Sequence, residues 1–242
     1  MLKNNLSNKE KKIITIDGPT CSGKGTISRL LAKRLGWNLL DSGAIYRALA
    51  FLAKSNKILP DDVKSLTLKA KELQIEFVLD ADNECILLDD NDVTKQIRQQ
   101  DCGIFASKIS QYKEVRDALY SIQRSFICPQ GLVADGRDMG TIVFPEALIK
   151  IFLEANTEVR AVRRHKQLKQ KGINVSLPDL SREISERDFS DINRKISPLR
   201  PADGAYCLDS TKLTIEQTLE EIINFISNHF IGNKLESFVN LE

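Results

Sequence analysis

Short apolar runs recur between amphipathic stretches along this chain, and several of them end at a polar turn. The runs at residues 13–16, 37–40, 132–134, 150–153 and 206–208 read as strands. Helical spacing follows the first of them, with Ile27, Leu30, Leu31 and Leu35 on one face, and returns near the end with Leu219, Ile222, Ile223 and Ile226. Thr214 and Gln217 stand as a capping box before that last helix. Strands alternating with helices predict an α/β fold around a mostly parallel sheet. From about residue 59 to 111 the pattern changes. Residues 73–79 roughly alternate, an acidic turn carries Asp80, Asp82, Asn83 and Glu84, and residues 85–88 are again apolar, so a hairpin is predicted as an insertion into the core. Residues 1–12 read as a disordered polar start and 232–242 as a frayed tail.

The turns are Asp17-Gly18, Asp41-Ser42-Gly43, Asp135-Gly136 and Asp209-Ser210-Thr211. In open α/β sheets ligands gather beyond the carboxyl ends of the strands, so the chemistry is expected there. The first turn opens the sequence I-I-T-I-D-G-P-T-C-S-G-K-G-T at residues 13–26, a strand, a glycine-bounded loop and a helix. Gly18 and Gly23 let the backbone turn its N–H groups inward, the helix points its positive end at an anion, and Lys24 adds a charge for β- and γ-phosphates. Pro19, Thr20, Cys21, Ser22, Gly25 and Thr26 complete the predicted ATP-binding loop. The strict pattern has Ser or Thr directly after the lysine, whereas Gly25 intervenes here, so metal is expected to be held through water. A glycine-rich turn with a surface lysine is the plainer alternative, but strand, two spaced glycines, lysine and helix together argue against it. Cys21 is open to two readings, a small residue that fits or an oxidisable thiol at a helix end.

Composition narrows the field. The 242 residues are 42% apolar and 28% charged, enough to bury a core without disulfides or structural metal. Lys and Arg total 35 against 33 acidic residues, a net charge of +2, which does not suit a nucleic-acid or membrane-surface protein. The five cysteines form no C-x-x-C pair and there are two histidines, so neither a zinc site nor a disulfide framework is expected. The polar start lacks the apolar stretch of a secretory signal, and a reduced, cytoplasmic protein is expected.

A phosphate loop alone does not choose among GTPases, ATPases and kinases. The segments L-L-D-S-G-A-I-Y-R (39–47), A-D-G-R-D-M-G-T (134–141), E-R-D-F-S-D-I-N-R (186–194) and L-D-S-T (208–211) do more. In this order after the loop they resemble the bacterial cytidylate kinases over nearly the whole chain. The resemblance implies a P-loop NTPase-type three-layer sandwich with a central, mainly parallel five-stranded sheet. One kinase domain would span 13–231, with a small β-containing insertion that binds the nucleoside monophosphate at about 59–111 and a short lid at about 158–190. It assigns Ser42, Arg47, Arg137 and Arg194 to the acceptor's phosphate, Arg187 and Asp191 to the ribose, and Asp138, Ser107 and Arg116 to cytosine. Lys24, Arg137, Arg187 and Arg194 would be catalytic and Arg163 would reach ATP. Partners would be ATP with Mg²⁺, held without direct protein ligands, and CMP or dCMP; the enzyme would be a monomer.

Cytosine offers an exocyclic amine beside ring acceptors, which a carboxylate plus an arginine complements, while uracil presents a carbonyl where Asp138 expects a donor. No general base is needed, since the second phosphate pKa is about 6 and the attacking oxygen is already anionic. A plainer reading pairs Asp138, Asp188 and Asp191 with Arg137, Arg187 and Arg194 as ordinary ion pairs. The ladder Arg160, Arg163, Arg164 and Lys166 on the helix at 158–171 is either a lid reaching ATP or a charged face, and a hinge at 172–178 favours the lid. Two other functions stay open, a P-loop kinase for a different nucleotide or small metabolite, and a nucleotide-gated binding protein. One Trp, four Tyr and the small net charge disfavour the latter as an RNA-associated protein.

Overall fold

A computed structural model describes residues 12–79, 84–170 and 172–230. The polar start through residue 11, the acidic turn at 80–83 and the tail at 232–242 lie outside the described residues. In chain order the first elements are β1 (Ile13–Asp17), α1 (Lys24–Leu35), β2 (Asn38–Asp41), α2 (Ser42–Ser55) and α3 (Val63–Lys71). A small hairpin region follows with β3 (Ile75–Leu79), β4 (Glu84–Leu88), β5 (Asn91–Asp92), α4 (Thr94–Ile97), α5 (Gln100–Ile109) and α6 (Lys113–Ser125). The chain then returns to the main sheet with β6 (Leu132–Gly136), a π-helical turn at Met139–Val143, β7 (Ile149–Glu154), α7 (Thr157–Gln170), α8 (Leu177–Asn193), β8 (Tyr206–Asp209) and α9 (Ile215–Phe230).

The main sheet has five parallel strands in the order β2-β6-β1-β7-β8, so every carboxyl end lies on one edge. Helices cover both faces, which is why β1 is buried at every residue rather than alternating with polar positions. Ile14 and Ile16 pack with Leu31 of α1 and Ile222 of α9, while Ile13 joins Leu49 of α2 and Leu119 of α6. Local sequence explains the helix starts. Asp41 caps α2 by accepting from Ala44 N at 2.9 Å, and Thr214 and Gln217 bond reciprocally as predicted.

The hairpin pairs antiparallel with Phe77 opposite Ile86, and β5 adds a third strand that the sequence pattern did not reveal. Ile86, Leu88 and Ile97 of this region belong to the same apolar cluster as Ile45 and Leu49 of α2, so the inserted segment shares its core with the sheet's flank. Of the segment 172–178 expected as a hinge, residues 172–176 are irregular and the last two already belong to α8. Ser176 Oγ accepts from Asp179 N at 3.2 Å as the cap of α8, and Pro178 falls in the first helical turn, where its missing N–H costs nothing. No helix among the described residues is long and apolar enough to cross a membrane.

Candidate active site

The phosphate loop leaves β1 at the centre of the sheet. A Cβ on Gly18 would lie 2.0 Å from the carbonyl oxygen of Leu153 on β7, so only glycine lets the loop start this close to its neighbour. Gly23 has φ +98° and opens α1, whose first residue is Lys24. The lysine is buried, with Nζ donating to Pro19 O at 3.3 Å. Gly25, the departure from the strict pattern, has a steric reason: a Cβ there would come within 3.1 Å of Asp135 Oδ2. The glycine makes room for a carboxylate at the end of β6.

The loop after β6 is anchored to β1 by Asp17, which accepts from Met139 N at 2.9 Å and Gly140 N at 2.8 Å. The π-helical turn is thereby fixed directly after Arg137 and Asp138. Arg137 Nε donates to Asp191 Oδ2 of α8 at 2.9 Å, and Arg194 approaches Asp191 Oδ1 at 3.8 Å. Arg194 also donates to Ser197 O, and its Nη2 is buried without a partner. Arg187 stands on α8 one turn before Asp191, with Nε buried and unpartnered. Asp138 (3% exposed) is ion-paired with Arg116 of α6 (8% exposed), whose Nη1 donates to Ser110 O at 3.1 Å and whose guanidinium lies 5.7 Å over the Tyr46 ring. Ser107 is half-buried on α5, and its carbonyl accepts from Ser110 Oγ at 2.9 Å. Ser42 begins α2 and accepts from Gln123 Nε2 at 2.8 Å. Arg47 is turned toward the α4–α5 junction, donating to Ile97 O at 3.1 Å and Gln99 O at 3.2 Å.

Crowding of cations shapes the electrostatics. Burial, then the Arg137 guanidinium, pushes the Lys24 ammonium down to about 8, with Arg187 adding to the effect. Burial and then Arg137 lower the Arg187 guanidinium as well. Burial alone would raise the Asp191 carboxyl, but Arg137, Arg187 and Arg194 together hold it below the ordinary carboxylate value. Asp17 and Asp135 are pushed up to about 6 and about 7, burial being the main cause in both. Buried cations gathered this closely favour a polyanion between them.

The ion pairs match the plainer pairing considered above for Asp191 with Arg194 and differ from it for Asp138 and Asp188. Asp138 meets Arg116, Asp191 meets Arg137 and Arg194, and Asp188 meets Arg160 at 2.6 Å; all of these acids are buried. The α7 ladder divides: Lys166 is exposed, while Arg160 and Arg163 turn inward. Arg160 is 4% exposed, and Arg163 donates to Ser22 O at 3.1 Å and Ser210 O at 2.6 Å, against the underside of the phosphate loop and the Ser210 turn. Three contributors escaped the sequence reading as site residues: Asp17, Asp135 and Gln123. The two aspartates do end strands in turns already singled out, whereas nothing in the sequence marks Gln123.

A phosphate loop at the central strand, faced by a second cluster of arginines over the same edge of a five-stranded parallel sheet, defines a P-loop phosphotransferase of the nucleoside monophosphate kinase class. Residues 14–228 match the family model described as cytidylate kinase. The chain is 50% identical over 217 residues to the cytidylate kinase of Azotobacter vinelandii, covering 89% of this chain and 95% of that one. It is 52% identical to that of Pseudomonas fluorescens over the same shares and 46% identical to that of Vibrio cholerae, over 90% and 97%. This chain belongs to the cytidylate kinase family. A gluconokinase from Sinorhizobium meliloti, 13% identical with a TM-score of 0.44 over 93% of this chain and 98% of that one, is a looser structural likeness on which the assignment does not draw.

Proposed function

We propose that this enzyme transfers the γ-phosphoryl group of ATP to CMP and to dCMP, giving ADP and CDP or dCDP. The observation that carries the reading is the buried Arg116–Asp138 pair beside the Arg137–Asp191–Arg194 cluster, within the field of Lys24. An oxygen of the CMP phosphate attacks the γ-phosphorus as the bond to the β-phosphate oxygen breaks, and ADP leaves. Repulsion between two polyanions is the main barrier, so the protein's work is neutralisation and alignment. Lys24 and the loop N–H groups take the ATP phosphates, with Arg163 near the Ser210 turn on the donor side. Arg137, Arg187 and Arg194 carry the charge of the transferring group. Ser42 and Arg47 hold the acceptor phosphate, and Asp138, Arg116 and Ser107 read the base.

Asp191 would bond the ribose with Arg187. Because it is already paired with Arg137, loss of the 2′-hydroxyl in dCMP leaves no buried carboxylate bare, which supports use of both substrates. The residues fit Mg²⁺ held through water: Asp135 has one buried oxygen without a partner, and the other faces Gly25 at the start of α1. Bound with ATP, the ion neutralises charge on the β- and γ-phosphates. In this reading the segment 59–111 is the acceptor-binding insertion and 158–190 the lid. The enzyme is read as a cytoplasmic monomer.

The test is ADP release measured with ATP, Mg²⁺ and a panel of CMP, dCMP, UMP, AMP and GMP. Turnover is expected with CMP and dCMP, weaker with UMP and absent with the purines. Preference for a purine nucleotide, or ADP release that no acceptor stimulates, overturns the proposal.

A further inference from the structure

The buried guanidinium of Arg160 reaches four acceptors from three parts of the fold: Ala155 O at 2.7 Å, Thr157 Oγ at 2.9 Å, Thr20 O at 3.0 Å and Asp188 Oδ2 at 2.6 Å. Thr20 is in the phosphate loop, and Asp188 adjoins Arg187 on α8. In a trans peptide the carbonyl and the following N–H point in opposite directions, and the described chain has no cis bonds. Tying Thr20 O down toward Arg160 therefore turns the N–H of Cys21 the other way, away from Arg160. The same guanidinium grips α8 at the residue next to an arginine whose field already reaches Lys24. Arg160 is the ion-pair partner of Asp188, whose other oxygen, Oδ1, is buried and unpartnered.

We propose that Arg160 is a positioning residue for phosphoryl transfer: through Thr20 and Asp188 it sets the phosphate-loop amides and Arg187 in register around the transferring group. The inference rests on the kinase reading above. Arginine suits the position because Nε, Nη1 and Nη2 donate in fixed, divergent directions, whereas the three donors of lysine share one nitrogen and cannot span acceptors placed around a fork. The geometry makes the two connections separable. Asp188 can be altered without touching the contact to the phosphate loop, whereas Arg160 serves both.

The test compares Arg160→Lys, Asp188→Asn and the double variant in the full chain. Readouts are kcat, KM for ATP and for CMP, ATP affinity without CMP by equilibrium dialysis, and melting temperature, with rates taken per folded enzyme well below every transition. Arg160→Lys is expected to lower kcat by roughly 10- to 100-fold, the scale of a small misplacement of reacting groups, and to weaken ATP binding. Asp188→Asn is expected to lower kcat at least roughly tenfold while ATP affinity stays within about twofold, because the Thr20 contact survives. The double variant should be no slower than Arg160→Lys, since that substitution already removes the contact to Asp188. Either single variant keeping kcat within twofold, additive losses, or losses confined to melting temperature overturn the proposal. Should Arg160→Lys fail to fold, Asp188→Asn decides it by the split between kcat and ATP affinity. Wild-type enzyme that phosphorylates no nucleoside monophosphate defeats the functional reading instead, and ATP affinity of Arg160→Lys against wild type then decides whether Arg160 orders the loop.

Discussion

Replacing Asp138 by alanine separates base recognition from phosphate handling. The carboxylate is 3% exposed and paired with an equally enclosed Arg116, so its removal leaves a guanidinium holding Ser110 O, with the Tyr46 ring 5.7 Å away. A buried pair broken from one side costs about 3–5 kcal/mol in stability when no water enters. Discrimination is the sharper measure. With Asp138 present, uracil leaves an unpaired acceptor against a carboxylate, a mismatch of about 1–3 kcal/mol, or roughly 5- to 150-fold in kcat/KM. Asp138→Ala should lose that factor in the CMP to UMP ratio, while KM for ATP stays near its original value. Asp138→Asn, which keeps the shape without the charge, guards against a variant that fails to fold. Coupled ADP release with each nucleotide gives the ratio, and a ratio unchanged in a folded variant of either kind refutes the assignment.

Three further outcomes follow from single contacts. Lys24→Ala should reduce transfer by about 10³-fold or more with CMP binding by calorimetry nearly intact, and wild-type kcat/KM for ATP should fall as pH rises through about 8, where the free lysine loses its proton; a flat alkaline limb to pH 9.5 contradicts this. Asp17 is harder to ionise in the folded protein, its pKa raised from 3.8 to about 6 by burial, so its share of stability is full below 3.8 and lost as pH climbs through 6, about 3 kcal/mol in all. Asp17→Asn should remove that slope, and parallel denaturation curves of mutant and wild type between pH 4 and 7 would show otherwise. A Cβ at Gly103 would stand 2.8 Å from Arg47 Nη2, so Gly103→Ala should push the guanidinium off Ile97 O and Gln99 O and raise KM for CMP by roughly tenfold, the worth of one charge-assisted hydrogen bond, while melting temperature rises or holds; unaltered KM argues that Arg47 does not touch the acceptor.

The parts legible in the sequence are those made by near neighbours. Residues 13–16 form a strand because four β-branched residues in a row suit a doubly covered sheet, and Thr214 finds Gln217 three positions on. The β5 strand is two residues long and polar, too brief to leave a pattern. Pro178 is compatible with helix because it falls in the first turn of α8, which Ser176 caps.

Sequence by itself determined the α/β architecture, the phosphate loop, and the family to which the arginine-rich segments point, since each is written in residue type and short spacing. Tertiary structure alone decided which charge meets which. Asp138 pairs with Arg116 rather than Arg137, Asp188 with Arg160 rather than Arg187, and Gly25 is small because Asp135 lies against it. The physical reason is reach. An arginine's long side chain bonds to any acceptor within several ångströms of its path, so its type announces an anion partner but not which one. That choice waits until parallel strands bring their carboxyl ends to one edge and the helices close over them.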